Sequence, residues 1–525
     1  MKEKKHPKDK KKKKAAKSNS TVGARTAKAR TPRAPGTEEA EGRRQRLLNA
    51  ALDLARRNPE ELDRLFPDGF KVLSPTAILG YGFPPESFLR GIERNPHLIA
   101  VDGGSTDPGP FYLGSGKSFT NRAFVKRDLR FMLVEGLLRN IPVVIGTAGG
   151  SGALPHLTWC KEIILEIAQE EGLSFRMGVI PADIPKPIVL KALEEDALQP
   201  LPFVSPVNRR AIEESPYIVA QFGVEPIIEA HRKGCEVILC GRCFDPAVFA
   251  ALPIMLGFDP GLALHMGKIL ECAAIAATPG SGADCVLGIL RGESFVLESL
   301  NPQRVFTSAS TAAHTLYEKS DPYHLYGPGG MINLEQATFT ELGDGRVEVR
   351  GSRFEPIQPY TVKLEGARPI GFRTVCLAGV RDPLMIEGIE GILEEVRAQV
   401  GSLMEKEGIK GTLYFHLYGK NGVMGSREPY PGKSHELGIL IDAVGETQKD
   451  ADTLCSVTRS TLLHYGYRGR IATAGNLAFP FSPSDTSMGE VYEFSLYHLM
   501  EIGSQRLFPL RVEQVEARKG KGGKK

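Results

Sequence analysis

The sequence predicts an α/β fold: a mostly parallel sheet with flanking helices, joined to an α+β region at the C-terminal end. Two observations carry this. Between about residues 98 and 240, short apolar strands alternate with longer helical stretches, the signature of βαβ units. From about residue 286, Pro, Gly and β-branched residues become frequent, and beyond Arg381 helix and strand are mixed. The first pattern makes the core Rossmann-like. A chain of 525 residues is long enough for two domains plus tails.

In chain order, the organisation expected is a disordered basic tail over 1–40, a helical extension over 41–68, an α/β core over 69–285, a β-rich segment over 286–380, an α+β lobe over 381–510 and a basic tail over 511–525. Residues 1–33 hold 11 Lys and 3 Arg against only Glu3 and Asp9, so this segment lacks the apolar surface to order itself. Removing the tails from the overall charge of +4 leaves an acidic body, which argues against nucleic acid as the main partner. Contacts of that kind are confined to weak ones by the tail. No apolar run reaches the roughly 18–20 residues of a membrane span, and the basic N-terminus has no apolar segment behind it. A soluble, cytoplasmic protein is expected. The eight cysteines do not form a secreted disulfide framework, and Cys240-Gly-Arg-Cys243 lacks the second ligand pair that zinc needs.

In the helical extension, Leu47, Leu48, Ala51, Leu54 and Ala55 share one face, and Asn58 is placed to cap a further helix after Pro59. Leu98–Asp102 reads as a buried strand, Lys126–Arg139 as a helix, and Pro142–Gly146 as the next strand. A helix runs on to about Gln169, followed by the strand Phe175–Ile180 and Asp183 as a cap. Val224–Lys233 reads as helix and Val237–Cys240 as strand. In the C-terminal lobe the pattern gives helix 385–406, strands 411–418 and 437–444, helix 448–466 and strand 470–474.

Sheets of this kind place ligands at the carboxyl ends of their strands, and two glycine-rich loops fall there. The first runs from Asp102 through Ser105, Asp107, Gly114, Gly116 and Lys117 to Ser118. Its glycines can turn backbone N–H groups towards an anion, with Lys117 as a point charge; a structural Gly/Pro turn is the other reading. A nucleotide P-loop is excluded because its spacing needs glycine at Phe111. Asp102 and Asp107 are candidates for acid–base chemistry, or for Asx turns. The second loop, Gly146 to Gly152, includes Gly149 and Gly150 and lacks both the dinucleotide spacing and the GxSxG elbow. His156 follows it as a base, a donor or a packing residue.

One stretch is specific enough to resemble a known family. Residues 215–234, from Ser215-Pro-Tyr to Arg232-Lys-Gly234, contain Gly223-Val-Glu-Pro-Ile-Ile-Glu-Ala230. They lead into Val237-Ile-Leu-Cys-Gly-Arg-Cys-Phe-Asp-Pro-Ala-Val-Phe249 and Gly267-Lys-Ile-Leu-Glu-Cys272. This is similar to the acyclic-terpene-utilisation (AtuA-like) family, as are Asp321-Pro-Tyr-His-Leu325, the strand Arg346–Gly351 and Asn476–Asp485. The resemblance spans roughly residues 70–500. Lys268 stands near where the family's last motif carries a histidine. What the resemblance implies is catabolism of acyclic terpenes and, more broadly, of carboxylic acids.

The expected function is therefore a catabolic enzyme acting on a small or isoprenoid carboxylic acid, or its CoA thioester, by acid–base chemistry. A lyase or isomerase step is favoured over a ligase step. A non-catalytic binding or scaffold subunit with a separate partner chain is the alternative, and a homo-oligomer fits either. Asp102, Asp107 and Asp245 are the candidate catalytic residues. Ser105, Gly114, Gly116, Lys117, Gly149, Gly150, Arg242, Ser484 and Asp485 are the candidate ligand-binding residues, with Arg242 as a bidentate clamp on a small anionic or carboxylate substrate. No metal ligands stand out, and the cofactor is unknown from the sequence.

Overall fold

A computed structural model describes residues 58–317, 321–430, 432–503 and 507–517. The expected N-terminal tail, most of the helical extension and the last basic residues lie outside these ranges. The fold is mixed α/β. Its largest element is a ten-stranded sheet with five parallel strands at the centre: Phe70–Ser74, Leu98–Val101, Val143–Ile145, Val237–Cys240 and Phe175–Ile180, in that spatial order. These strands are largely apolar because both faces are covered, with Lys71, Ser74 and Arg176 as the exceptions. Alternation sends Val72, Leu98, Ala100, Val144 and Ile238 to one core. Leu73, Ile99, Val101, Val143, Ile145 and Leu239 go to the other. The helices Arg122–Leu138 and Leu154–Glu171 cover the second face through Leu129, Met132, Ile163 and Ile164. Ala247–Met255 and Pro260–Leu270 cover the first through Val248, Phe249, Met266 and Ile269. Asn58 does cap the helix Pro59–Leu65, accepting the Glu61 N–H at 2.8 Å.

The expected parallel sheet forms the centre, and antiparallel strands extend it on both sides, so the whole is mixed. Val286–Leu290 and Ser294–Ser299 form a hairpin that joins Phe70–Ser74 antiparallel, and Val347–Arg350 and Thr338–Glu341 extend that side. The turn between the two hairpin strands is too short for a crossover, so they must run antiparallel. The central order also differs from a doubly wound sheet, which reverses about its first strand; here Val237–Cys240 is inserted between Val143–Ile145 and Phe175–Ile180. The boundary expected near 285 runs through this one sheet. Residues 511–515, assigned to the basic tail, instead form the strand Arg511–Val515 on the opposite edge. There Val515 is buried and Glu513 pairs with Lys161 at 2.7 Å.

A second sheet orders Gly411–Tyr418, Leu437–Gly445, Thr361–Val380, Asp485–Glu501 and Leu198–Pro200. Tyr217–Gln221 also pairs with the first part of Thr361–Val380. The helices Ile389–Lys406 and Gln448–Leu463 pack on this sheet through Val396, Val400, Leu454 and Leu462 against Ile439 and Ile441. The strand expected at 470–474 does not form: Ile471 is 95% exposed, and Arg470 Nη2 folds back on the Ala474 carbonyl at 2.6 Å. The 20-residue strand Thr361–Val380 went unrecognised because Gly366, Pro369 and Gly371 break its pattern. Its register shifts at these points.

Candidate functional site

The carboxyl ends of three central strands deliver three loops to one place. Asp102 follows Leu98–Val101, the loop 146–152 follows Val143–Ile145, and Gly241–Asp245 follow Val237–Cys240. The backbone fastens these loops together. Gly103 N–H donates to Gly146 O at 3.0 Å, Ser105 N–H to Gly150 O at 3.1 Å, and Arg242 N–H to Gly152 O at 3.2 Å. Gly152, at φ +68°, lies so close to Arg242 that a Cβ would stand 2.2 Å from its backbone nitrogen. Thr147 is held at φ +35°, a strained region for a β-branched residue. That twist brings its hydroxyl to Cys243, whose N–H donates to Thr147 Oγ1 at 3.4 Å.

Arg242 is buried, and its guanidinium fork is fully engaged. Nε and Nη2 donate to Glu365 Oε2 and Oε1 at 2.9 and 3.1 Å, while Nη1 reaches Asp245 Oδ1 at 3.3 Å and Thr147 Oγ1 at 3.5 Å. Glu365 comes from the long strand of the second sheet and also takes Lys363 Nζ at 2.9 Å. Burial alone would raise the Glu365 carboxyl, but Arg242 and Lys363 outweigh it and hold the group down at about 2. Asp102 has the opposite fate. It is buried, its Oδ1 has no hydrogen-bond partner among the described residues, and burial followed by the Asp245 carboxylate pushes its carboxyl well above the usual range. Arg242 opposes that rise without cancelling it.

Lys268, on the helix Pro260–Leu270, and Glu271, just past its end, add a buried ion pair. Burial would lower the Lys268 ammonium, but Glu271 keeps it above its ordinary range. The ammonium lies 5.3 Å over the ring of Tyr317. His314, stacked on Tyr317, is pushed down to about 4 by burial and then by the Lys268 charge. Among the described residues, no three of His, Cys, Asp and Glu are grouped to hold a metal ion.

Of the residues expected at the site, Asp102, Arg242 and Asp245 do meet. Arg242 is not a free clamp, because its two-pronged face is spent on Glu365. Lys117 stands apart, exposed, with its ammonium 5.9 Å over Phe111 and its carbonyl facing His156 Nε2 at 3.0 Å. Asp107 is exposed and its N–H donates to Ser105 Oγ at 3.1 Å, a local turn. Gly149 and Gly150 are buried against His156 and Phe119, so the second loop is packed rather than open. Gly114 lets Tyr492 approach, and Gly116, at φ +71°, faces Pro155 and Tyr217. Asp485 is gripped by Arg459 at 3.0 and 2.9 Å, and Ser484 donates to Asp485 at 3.0 Å. Asp485 pairs with Cys376, eleven residues beyond Glu365 on the same strand, a separation of roughly 35 Å along an extended chain. These two residues therefore belong to the second sheet and do not close over Arg242.

Sequence reasoning missed Thr147, Lys363, Glu365 and His314. Lys268 and Glu271 lie in Gly267–Cys272, one of the stretches that carry the family resemblance.

Fold and cluster together describe a mixed α/β protein whose strand-end loops gather buried carboxylates around an anchored arginine. The chain belongs to the acyclic terpene utilisation family AtuA, whose sequence model matches residues 122–285 and 288–478. Membership points to a role in acyclic terpene utilisation. Arg242, Asp245, Lys268, Glu271 and Glu365 fall within the matched residues; Asp102, its loop and Ser482–Asp485 fall outside them. No curated protein and no solved structure matches the chain.

Proposed function

We propose that the chain is a catabolic enzyme that moves a proton on a small or isoprenoid carboxylic acid, or its CoA thioester, with Asp102 and Asp245 as the exchanging pair. One observation carries this reading: Asp102 is a buried carboxyl with an unpartnered oxygen and a raised affinity for its proton, next to a second carboxylate fixed by Arg242. A carboxyl whose surroundings favour its protonated form is poised to act as an acid. In this scheme Asp102 holds the proton, Asp245 accepts one, and Arg242, anchored on Glu365, is a positioning residue. The packed glycine loop supports a lyase or isomerase step over a nucleotide-dependent ligase step, because it leaves no open phosphate cradle.

The test is solvent exchange. Acyclic ten-carbon acids and their CoA thioesters, incubated with the protein in deuterated water, should gain deuterium or shift their double bonds by mass spectrometry. Asp102→Asn should slow this more than 100-fold, in line with loss of a general acid or base. A panel showing neither exchange nor product would refute the proposal. A second reading, a binding subunit without catalysis, draws on the internal pairing of the cluster's cations: Arg242 and Lys363 on Glu365, Lys268 on Glu271. Under that reading Asp102→Asn leaves the activity of any complex containing the chain unchanged.

A further inference from the structure

The strand Leu198–Pro200 pairs with His498–Met500, Leu201 N–H reaches the Tyr497 carbonyl at 3.3 Å, and residues 493–496 of the neighbouring strand run on beyond it. Beyond Pro200 the chain arches away as the loop 201–208 and returns where Val207 N–H donates to His498 Nε2 at 3.1 Å. A groove of about 530 Å³ opens between loop and strand. Its apolar walls are Phe203, Val204, Val207 and Phe494, and Ser495 and Tyr497 add hydroxyls. Two of the groove's residues tie it to the site. Thr106 belongs to the loop that begins with Asp102. The Tyr497 hydroxyl meets Lys363 Nζ at 3.4 Å, and Lys363 in turn holds Glu365 and so Arg242.

The charge of the groove decides what it accepts. Its charged lining residues are Arg368 and Glu493, and Arg368 is bonded to both Glu493 and Glu214, at 2.6 and 2.7 Å. Arg210 takes Glu214 as well, at 2.6 Å, so no guanidinium is left free, and a phosphate or second carboxylate would lose its hydration there without gaining a partner. An extended uncharged chain gains from the apolar walls without that penalty.

We infer that this groove binds the uncharged hydrocarbon chain of the substrate, with its carboxyl or thioester end directed towards Thr106 and Tyr497. The inference rests on the acid–base reading for the identity of the head group, but its test does not depend on turnover. Isothermal titration of the full chain with straight-chain carboxylates from hexanoate to decanoate should show affinity rising about fourfold per added methylene. Ser205 is an exposed lining residue, so Ser205→Trp should fill the groove and leave the fold alone. That variant should lose at least tenfold in decanoate affinity and flatten the dependence on chain length. Phe494→Ala, trimming a half-exposed wall, should weaken decanoate a few-fold, and inorganic phosphate should not compete. A wild-type series without chain-length dependence, or an unchanged series in Ser205→Trp, would overturn the assignment. Failure of the proton-transfer reading looks different: chain-length dependence persists while deuterium exchange is absent.

Discussion

Glu365 and Arg242 show what one residue can decide. Both are buried, and neither charge is tolerable without the other, because stripping one partner from a buried pair costs about 3–5 kcal/mol. Glu365→Gln should therefore lower unfolding stability by that order in urea titrations. Arg242→Lys keeps the charge but gives up the fork, and a loss of about 1–3 kcal/mol is expected. Asp102 has the contrary sign. Because its folded affinity for a proton is raised, the stability it lends is complete below the unfolded carboxyl range and is lost as pH rises. Asp102→Asn should therefore gain on wild type as pH climbs from 4 towards 8, while losing exchange activity. A variant equally stable at both ends would show that Asp102 is not desolvated. Asp102 and Arg242 were legible in the sequence because each ends a short, wholly apolar strand. Glu365 was not, since its partner lies 123 positions away and a Lys-Leu-Glu run in a strand carries no local mark of it.

At the scale of elements, the strands around Leu98, Val143 and Val237 were visible because burial on both faces makes them continuous apolar runs, and Phe175–Ile180 is nearly one, with Arg176 its single charge. The long strand Thr361–Val380 was hidden by the glycines and proline that bend it, and Arg511–Val515 by the basic residues that follow. That last strand gives a prediction. Ending the chain at Pro509 removes the antiparallel partner of Phe175–Ile180 and the Lys161–Glu513 contact. The shortened protein should melt several degrees lower and aggregate through the bared edge, as calorimetry and light scattering would record. Gly152→Ala tests the loop in the same way. A Cβ there meets backbone 2.2 Å away at a positive φ, so little or no folded protein should be recovered.

Over the whole molecule, acid is the expected point of weakness. Burial holds His231 and His265 down at about 3 and, with Lys268, holds His314 at about 4. Each contributes stability that is present above the ordinary histidine value of 6.5 and is lost as pH falls through these lowered values. The slope is about 1.4 kcal/mol per pH unit for each residue. Glu365 adds a later loss, from its ordinary 4.5 down to about 2. Melting temperature should fall steadily below pH 6.5, and His231→Leu should make that fall shallower. The strand that carries Glu365 also sets how freely the two sheets can be varied. One end of Thr361–Val380 fastens the cluster and the other builds the second sheet, so both inherit a single alignment. Inserting one residue before Lys363 would turn every later side chain to the opposite face, leaving Arg242 facing a hydrocarbon. The strand works as a shared ruler: within it, a change of length is a graver error than any change of letter.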